Sequence, residues 1–268
     1  MHIFIPTLGR ASQCHRGTIS KIPEEWLGRT TLVVQEHEAD DYDQQAMAFG
    51  CGLLVLPKTI DRIEPTRRHI ARHCRERRIQ RMLMLDDDIE FYIRRQQESL
   101  DDNWWRLSAP SADETDRILQ EIDRALDDHA HVGLSGREGN NRVRAPHVLN
   151  TRYMRALAYR VEDYMQTEGG RVEIMEDFDV ALQMLKAGKD CLVFYQYAQG
   201  QGKTQAAGGC STWRTLELHN RGVQKMAELH PGLVRVREKK NKTDSAGFGT
   251  RQEATIYWKR ARASHESE

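Results

Sequence analysis

Three adjacent aspartates end an apolar run in "RMLMLDDDIEF" (81 to 91). Side by side, Asp86, Asp87 and Asp88 repel one another unless something neutralises them. Alternate residues at a strand end can point the same way, so Asp86 and Asp88 can converge on one cation. Carboxylate oxygens suit the hard ions Mg²⁺ and Mn²⁺, which keep open positions for a substrate's phosphates. In an open α/β sheet, ligands bind beyond the carboxyl ends of the strands, which is where the triplet lies. The bland alternative is a solvated acidic turn, and the apolar strand directly before the triplet argues against it. A second acidic group, "MEDFD" (175 to 179), opens a helical pattern. It puts Glu176, Asp177 and Asp179 in a first turn, where carboxylates favour the helix dipole or simply cap the helix.

These residues need elements to hold them. "HIFIP" (2 to 6), "TTLVVQE" (30 to 36), "GLLVLP" (52 to 57) and "RMLML" (81 to 85) read as buried strands. Residues 65 to 79 read as a helix, with Pro65 suited to its first turn. The alternation predicts a parallel sheet with helices on both faces. After the aspartates the pattern blurs, and "QQESLDDNWW" reads as a loop. Residues 111 to 128 read as a helix with Ile118, Ile122, Ala125 and Leu126 on one side, and "HVGLSGRE" as a strand and turn. Residues 175 to 188 are helical, with Phe178, Ala181, Leu182 and Leu185 on one side and Gly188 as the capping glycine. "CLVFYQYA" (191 to 198) reads as a strand and residues 215 to 229 as a helix.

The composition narrows the function classes. With 268 residues the chain can bury a substantial core, and apolar residues are spread throughout. Forty basic and forty acidic residues balance, which argues against strong non-specific attraction to a polyanion. The charges are nonetheless segregated: "TRRHIARHCRERRIQR" (66 to 81) and "RVREKKNK" (235 to 242) are basic, and acids gather in 86 to 128. Five cysteines without CxxC pairs fit reduced thiols in a cytosol. No run approaches the ~18 apolar residues of a membrane span, and the N-terminus lacks a signal-peptide pattern. A cytoplasmic protein is the expectation.

The order "IPTLGR", strand–helix units, "MLMLDDDI" and then "EIMEDFDVALQMLKAG" resembles a GT-A glycosyltransferase over roughly residues 1 to 215. The resemblance implies a Rossmann-like, mostly parallel sheet with helices on both faces. It implies one domain over 1–262, with a nucleotide-sugar half at about 1–90, an acceptor half at about 91–262 and a flexible tail at 263–268. Thr7 and Arg10 match positions that touch the nucleotide. Gln35 or Glu36 would read the base edge, and Arg67 or Arg68 would meet ribose or phosphate. Asp86 matches the aspartate near ribose and sugar, Asp87 sits within the same donor-binding motif, and Asp88 matches the metal ligand. "MEDFD" matches the acceptor-side acidic segment. An inverting transfer needs a carboxylate to take the acceptor's proton. Asp177 is the first candidate, with Glu176 beside it and Asp179 in reserve. A later histidine often completes the metal site in this family, and His219 or His147 would serve by order.

The stretch from Glu176 to Thr215, above all "GGCSTWR", resembles the bacteriophage TET-associated glycosyltransferases, which modify hydroxymethylated pyrimidines in DNA. This implies a UDP-sugar donor, 5-hydroxymethylcytosine in DNA as acceptor, and work in a host cytoplasm. Gly208, Gly209, Trp213 and Arg214 are then acceptor-side candidates. Lys203 and the basic blocks at 235 to 242 and 251 to 262 could meet DNA phosphates. Trp104, Trp105, Tyr195 and Tyr197 could stack on a flipped base. A polysaccharide, protein or small-molecule acceptor is the alternative. "GQGKT" (200 to 204) is no phosphate-binding loop, because Tyr197 stands where that pattern needs glycine. His69, His73 and Cys74 lack a second ligand pair. A haloacid-dehalogenase-like phosphatase also places DxD after a strand, but there the motif opens the chain, and Ile89 departs from its pattern. A DNA-binding module without chemistry leaves the aspartates unexplained.

Overall fold

The computed structural model describes residues 1–96, 105–201, 215–240 and 250–267. The first half comprises β1 (His2–Pro6), α1 (Glu24–Leu27), β2 (Thr30–Gln35), α2 (Ala39–Phe49), β3 (Gly52–Leu56), α3 (Ile63–Glu76), β4 (Arg81–Leu85), β5 (Ile89–Gln96), β6 (Trp105–Ser108) and α4 (Ala112–Ala125). Then follow β7 (His131–Gly136), β8 (His147–Leu149), β9 (Ala156–Arg160), α5 (Val161–Met165), α6 (Glu176–Lys186), β10 (Cys191–Gln201), α7 (Leu216–Leu229), β11 (Val234–Lys240), β12 (Thr250–Ile256) and α8 (Trp258–Ala263). The ends of these elements have local causes. Ser111 and Glu114 close a reciprocal capping box on α4, satisfying two of its free N–H groups. Gly188, at φ 78°, follows α6 in the left-handed conformation that glycine adopts most cheaply.

One sheet runs in the order β3-β2-β1-β4-β9-β7-β10-β5-β6, with β8 paired to β10. β1 is parallel to β2 and β4, β2 to β3, and β7 to β10. β9 runs against both β4 and β7, so those two share the common direction. Alternation along the strands splits the core. Phe4, Val33, Met82, Met84 and Leu157 pack one face with Ile70, Ala71 and Cys74 of α3 and Ala181, Leu182 and Leu185 of α6. Ile3, Ile5, Leu32, Val34, Leu83 and Leu85 pack the other with Trp26, Tyr42 and Ile118, Leu119 and Ile122 of α4. This is the expected α/β arrangement, with helices covering both faces.

The stretch directly after the aspartates, for which the sequence pattern blurred, is β5, antiparallel to β10, while the expected loop at 96 to 105 lies mostly outside the described residues. "IEFYIRRQ" is rich in β-formers, and the edge of β10 gives it a partner. Two expectations need correction. β10 continues to Gln201, past a register shift between Phe194 and Ala198. The tail is not loose throughout: Ser264–Ser267 forms a 3-10 turn, and His265 lies so close over Gly188 that a Cβ there would come within 2.4 Å of its ring. Among the described residues, Cys14, Cys51, Cys74 and Cys191 are free thiols, and no helix is long and apolar enough to cross a membrane.

Candidate active site

The carboxyl ends of β1, β4 and β10 reach the same edge of the sheet as the amino end of β9, which runs the other way. That edge gathers Thr7, the three aspartates, Arg155 and Gln201. The aspartates alternate in exposure: the side chains of Asp86 and Asp88 are each 32% exposed, and that of Asp87 is 16%. Asp87 turns back toward β1, where Thr7 Oγ1 donates to Oδ2 at 2.7 Å and Arg10 pairs with Oδ1. Asp88 Oδ2 lies 3.1 Å from the same Arg10, and Gln201 Nε2 donates to its Oδ1 at 2.6 Å. Asp86 Oδ1 lies 3.5 Å from Arg67. Burial, with Asp88 and Asp87 adding repulsion, pushes the Asp86 carboxyl up to about 7, against the pull of Arg67. Asp87 is also raised, chiefly by burial.

The backbone of the triplet is held from outside. Thr18 Oγ1 donates to the Asp86 carbonyl at 2.6 Å and accepts from the Ile89 N–H at 2.7 Å, while the Thr18 N–H donates to the Asp87 carbonyl at 2.9 Å. Gly17 lets this segment approach, since a Cβ there would sit 2.9 Å from the Asp87 carbonyl oxygen. On the other side, the Asp86 N–H donates to the carbonyl of Arg155, a residue at φ 66°. Such a conformation in a non-glycine residue holds strain and concentrates at functional sites.

Arg67 joins the two acidic groups. It is buried on α3, 2.5 Å from Glu176 Oε1 at the start of α6 and 3.5 Å from Asp86. Burial alone would favour its neutral form, but Glu176, Asp86 and Asp177 outweigh that and raise its pKa. Its Nε is buried without a hydrogen-bond partner. Met175, at φ 65°, turns the chain into α6. Glu176 is therefore spent on Arg67, whereas Asp177 is half-buried and accepts the Phe178 N–H at 2.9 Å.

Several sequence candidates lie elsewhere. Asp179 is buried beneath the site: His230 Nε2 is 2.7 Å from Oδ1, Gln183 donates to Oδ2 at 2.9 Å, and Arg171 stands 3.6 Å away. That network anchors the first turn of α6, so Asp179 is structural and not a reserve base. Arg68 faces away from the aspartates. Its guanidinium pairs with Glu64, donates to the carbonyls of Thr167 and Glu168, and lies over the Tyr164 ring. His219 is not grouped with the aspartates either. Its Nε2 is 2.8 Å from the Gln252 carbonyl, and Asn220 accepts the Gln252 N–H, so α7 satisfies the outer edge of β12. Tyr197 is buried and donates to Glu121. Gln35 and Glu36 stand at the end of β2, across β1 from the triplet, with Glu36 3.6 Å from Lys58. His147 is exposed on β8. Lys203, Gly208, Gly209, Trp213, Arg214, Trp104 and the side chain of Trp105 lie outside the described residues. Thr18, Gln201 and Arg155 were not anticipated. None carried a signal: Gln201 falls three residues past the strand expected at 191 to 198 and inside the rejected "GQGKT".

No group of three or more His, Cys, Asp or Glu among the described residues is arranged to hold a metal ion. Two half-open carboxylates fit a hard ion that completes its shell with water and phosphate oxygens. An ion there would also relieve the crowding that raises Asp86.

An acidic strand end facing an acidic helix start, on a mostly parallel sheet, is the arrangement that the resemblance to GT-A glycosyltransferases implies. The family model of the TET-associated glycosyltransferases matches residues 1–209, and the chain belongs to that family. The β-glucosyl-HMC-α-glucosyl-transferases of Enterobacteria phages T2 and T6 are each 25% identical over 214 residues, covering 76% of this chain and 73% of theirs. A mycobacterial protein of known crystal structure shares the fold, with a TM-score of 0.51 at 11% identity over 95% of this chain and 83% of that one.

Proposed function

We propose that the protein moves a sugar from a UDP-sugar to 5-hydroxymethylcytosine in DNA, with a divalent cation, Mn²⁺ or Mg²⁺, at Asp86 and Asp88. The observation that carries this reading is the Asp86–Arg67–Glu176 bridge. It fixes the strand end that would hold the donor against the helix start that would face the acceptor. Support for the acceptor comes from the family and from the HMC in the names of the phage relatives.

Thr7 and Arg10 hold Asp87 and so set the shape of the donor end, and Arg10 and Arg67 bring positive charge toward a diphosphate. A bound cation would stabilise the charge that develops on the leaving diphosphate. In the transfer, the acceptor hydroxyl oxygen bonds to the sugar's anomeric carbon, and the bond from that carbon to the diphosphate breaks. The diphosphate keeps the electron pair, and the hydroxyl proton passes to Asp177 in an inverting reaction. Retention would instead use the Asp177 charge to steady the developing positive sugar.

The donor half is tested by calorimetric titration of UDP with and without Mn²⁺. Binding that requires the metal and is lost in Asp88→Ala is the expected result. UDP binding of equal strength without metal, or unchanged in that variant, would contradict the assignment.

A further inference from the structure

The β11–β12 hairpin has two unlike faces. Residues paired across the strands share a face, as do alternate residues along each strand. Val234, Ala254 and Ile256 pack into the core on one side. The opposite side carries Arg235, Arg237 and Lys239, paired in register with Thr255, Glu253 and Arg251. That face presents four cations and a single carboxylate. Glu253 is shared between Lys239, at 3.0 Å, and Arg251, at 2.8 Å. Arg235 and Arg237 are exposed, with no ion-pair partner among the described residues.

The ribbon also connects to the start of α6. Arg152 lies over the Phe178 ring, 5.1 Å from its centre, and Trp258, which follows β12, packs edge-on against the same ring at 5.5 Å. Phe178, next to Asp177 in the chain, is therefore a neighbour of the helix that follows the ribbon. A chain of zero net charge concentrates positive charge beside the place where the acceptor must arrive. Cations spaced along a ribbon fit the phosphates of a nucleic-acid backbone, a repeating line of negative charge.

We infer that the outward face of β11–β12, through Arg235, Arg237, Lys239 and Arg251, is the docking surface for the phosphate backbone of duplex DNA. This rests on the DNA-acceptor reading above. The surface does no chemistry; it holds the duplex so that a base reaches Asp177.

The test compares wild type with the double variant Arg235→Glu/Arg237→Glu on a hydroxymethylcytosine duplex at several salt concentrations. UDP release from the donor without DNA serves as the control for an intact fold and donor site. KM for the duplex should rise about tenfold or more, and the slope of log affinity against log salt should fall by about two, one for each phosphate that the variant no longer neutralises. Turnover at saturating duplex and the control UDP release should stay unchanged. A duplex KM and salt slope equal to wild type would overturn the docking surface while leaving the acceptor reading intact. A wild type that releases UDP but neither binds nor modifies any duplex would overturn both.

Discussion

Arg67 is the residue on which the site turns. A buried carboxylate left unpaired by removal of its partner typically costs ~3–5 kcal/mol or takes up a proton. Arg67→Met should therefore lower the unfolding midpoint and abolish transfer. Arg67→Lys keeps the charge but loses the planar fork that reaches Glu176 and Asp86 together. It should recover most of the stability and little of the turnover; wild-type turnover in the lysine variant would remove the bridge from the mechanism. Another buried residue sets a pH dependence away from the site. His131 is fully buried, bonded through Nδ1 to the Tyr153 hydroxyl and through Nε2 to the Lys189 carbonyl. Burial lowers its pKa to about 4, and the bond to Lys189 opposes this only in part. The unfolded chain takes up the proton near pH 6.5, before the folded chain does, so stability is full above that pH and falls as pH drops toward 4. The loss approaches about 3 kcal/mol at the lower end. His2, also lowered to about 4 chiefly by burial, adds in the same direction. Urea denaturation at about pH 7.5 and about pH 4.5 checks this, and His131→Gln should flatten part of the difference.

At the scale of elements, the aspartates are useful because the segment after β1 clamps their backbone. Gly17→Ala puts a methyl group against the Asp87 carbonyl, and backbone cannot step aside as a side chain can. The triplet should shift, and KM for the donor should rise severalfold with the fold intact; an unchanged donor KM would show that the clamp is not needed. Much of this positioning was legible in the sequence. β1 to β4 could be read because each is a short apolar run between turn signals, and α4 and α6 because their apolar residues recur at helical spacing. β5 was missed because its alternation is filled by Tyr92, Arg94 and Arg95, and its pairing to β10 is non-local. The β11–β12 hairpin reads as a charge run because only one of its faces is apolar. Asp179 and Asp177 share a helix turn and cannot be told apart without His230, which approaches from the end of α7, 51 residues later. Arg68 and Arg67 are neighbours on α3, and only the packing of α5 shows which one faces the site.

At the scale of the whole molecule, the described residues form a sheet whose carboxyl edge brings an acidic strand end against an acidic helix start. In the proposed reading the aspartates, Arg10 and Thr7 would take the donor, Asp177, Arg152 and the basic ribbon would face the acceptor, and Arg67, paired with Asp86 and Glu176, couples the two. The central claim is that the sugar goes to a hydroxymethylated base in DNA, and nucleoside mass spectrometry tests it most directly. The protein is incubated with Mn²⁺, a pool of UDP-sugars and three duplexes carrying cytosine, hydroxymethylcytosine or glucosylated hydroxymethylcytosine, and the DNA is then digested. A hexose- or N-acetylhexosamine-sized gain in mass on hydroxymethylcytosine, absent from the cytosine duplex and lost in Asp88→Ala, is the predicted result; a gain on the glucosylated duplex alone would move the acceptor from the base's hydroxymethyl group to its sugar and contradict the assignment. UDP release with no gain in mass on any of the three duplexes would contradict the account.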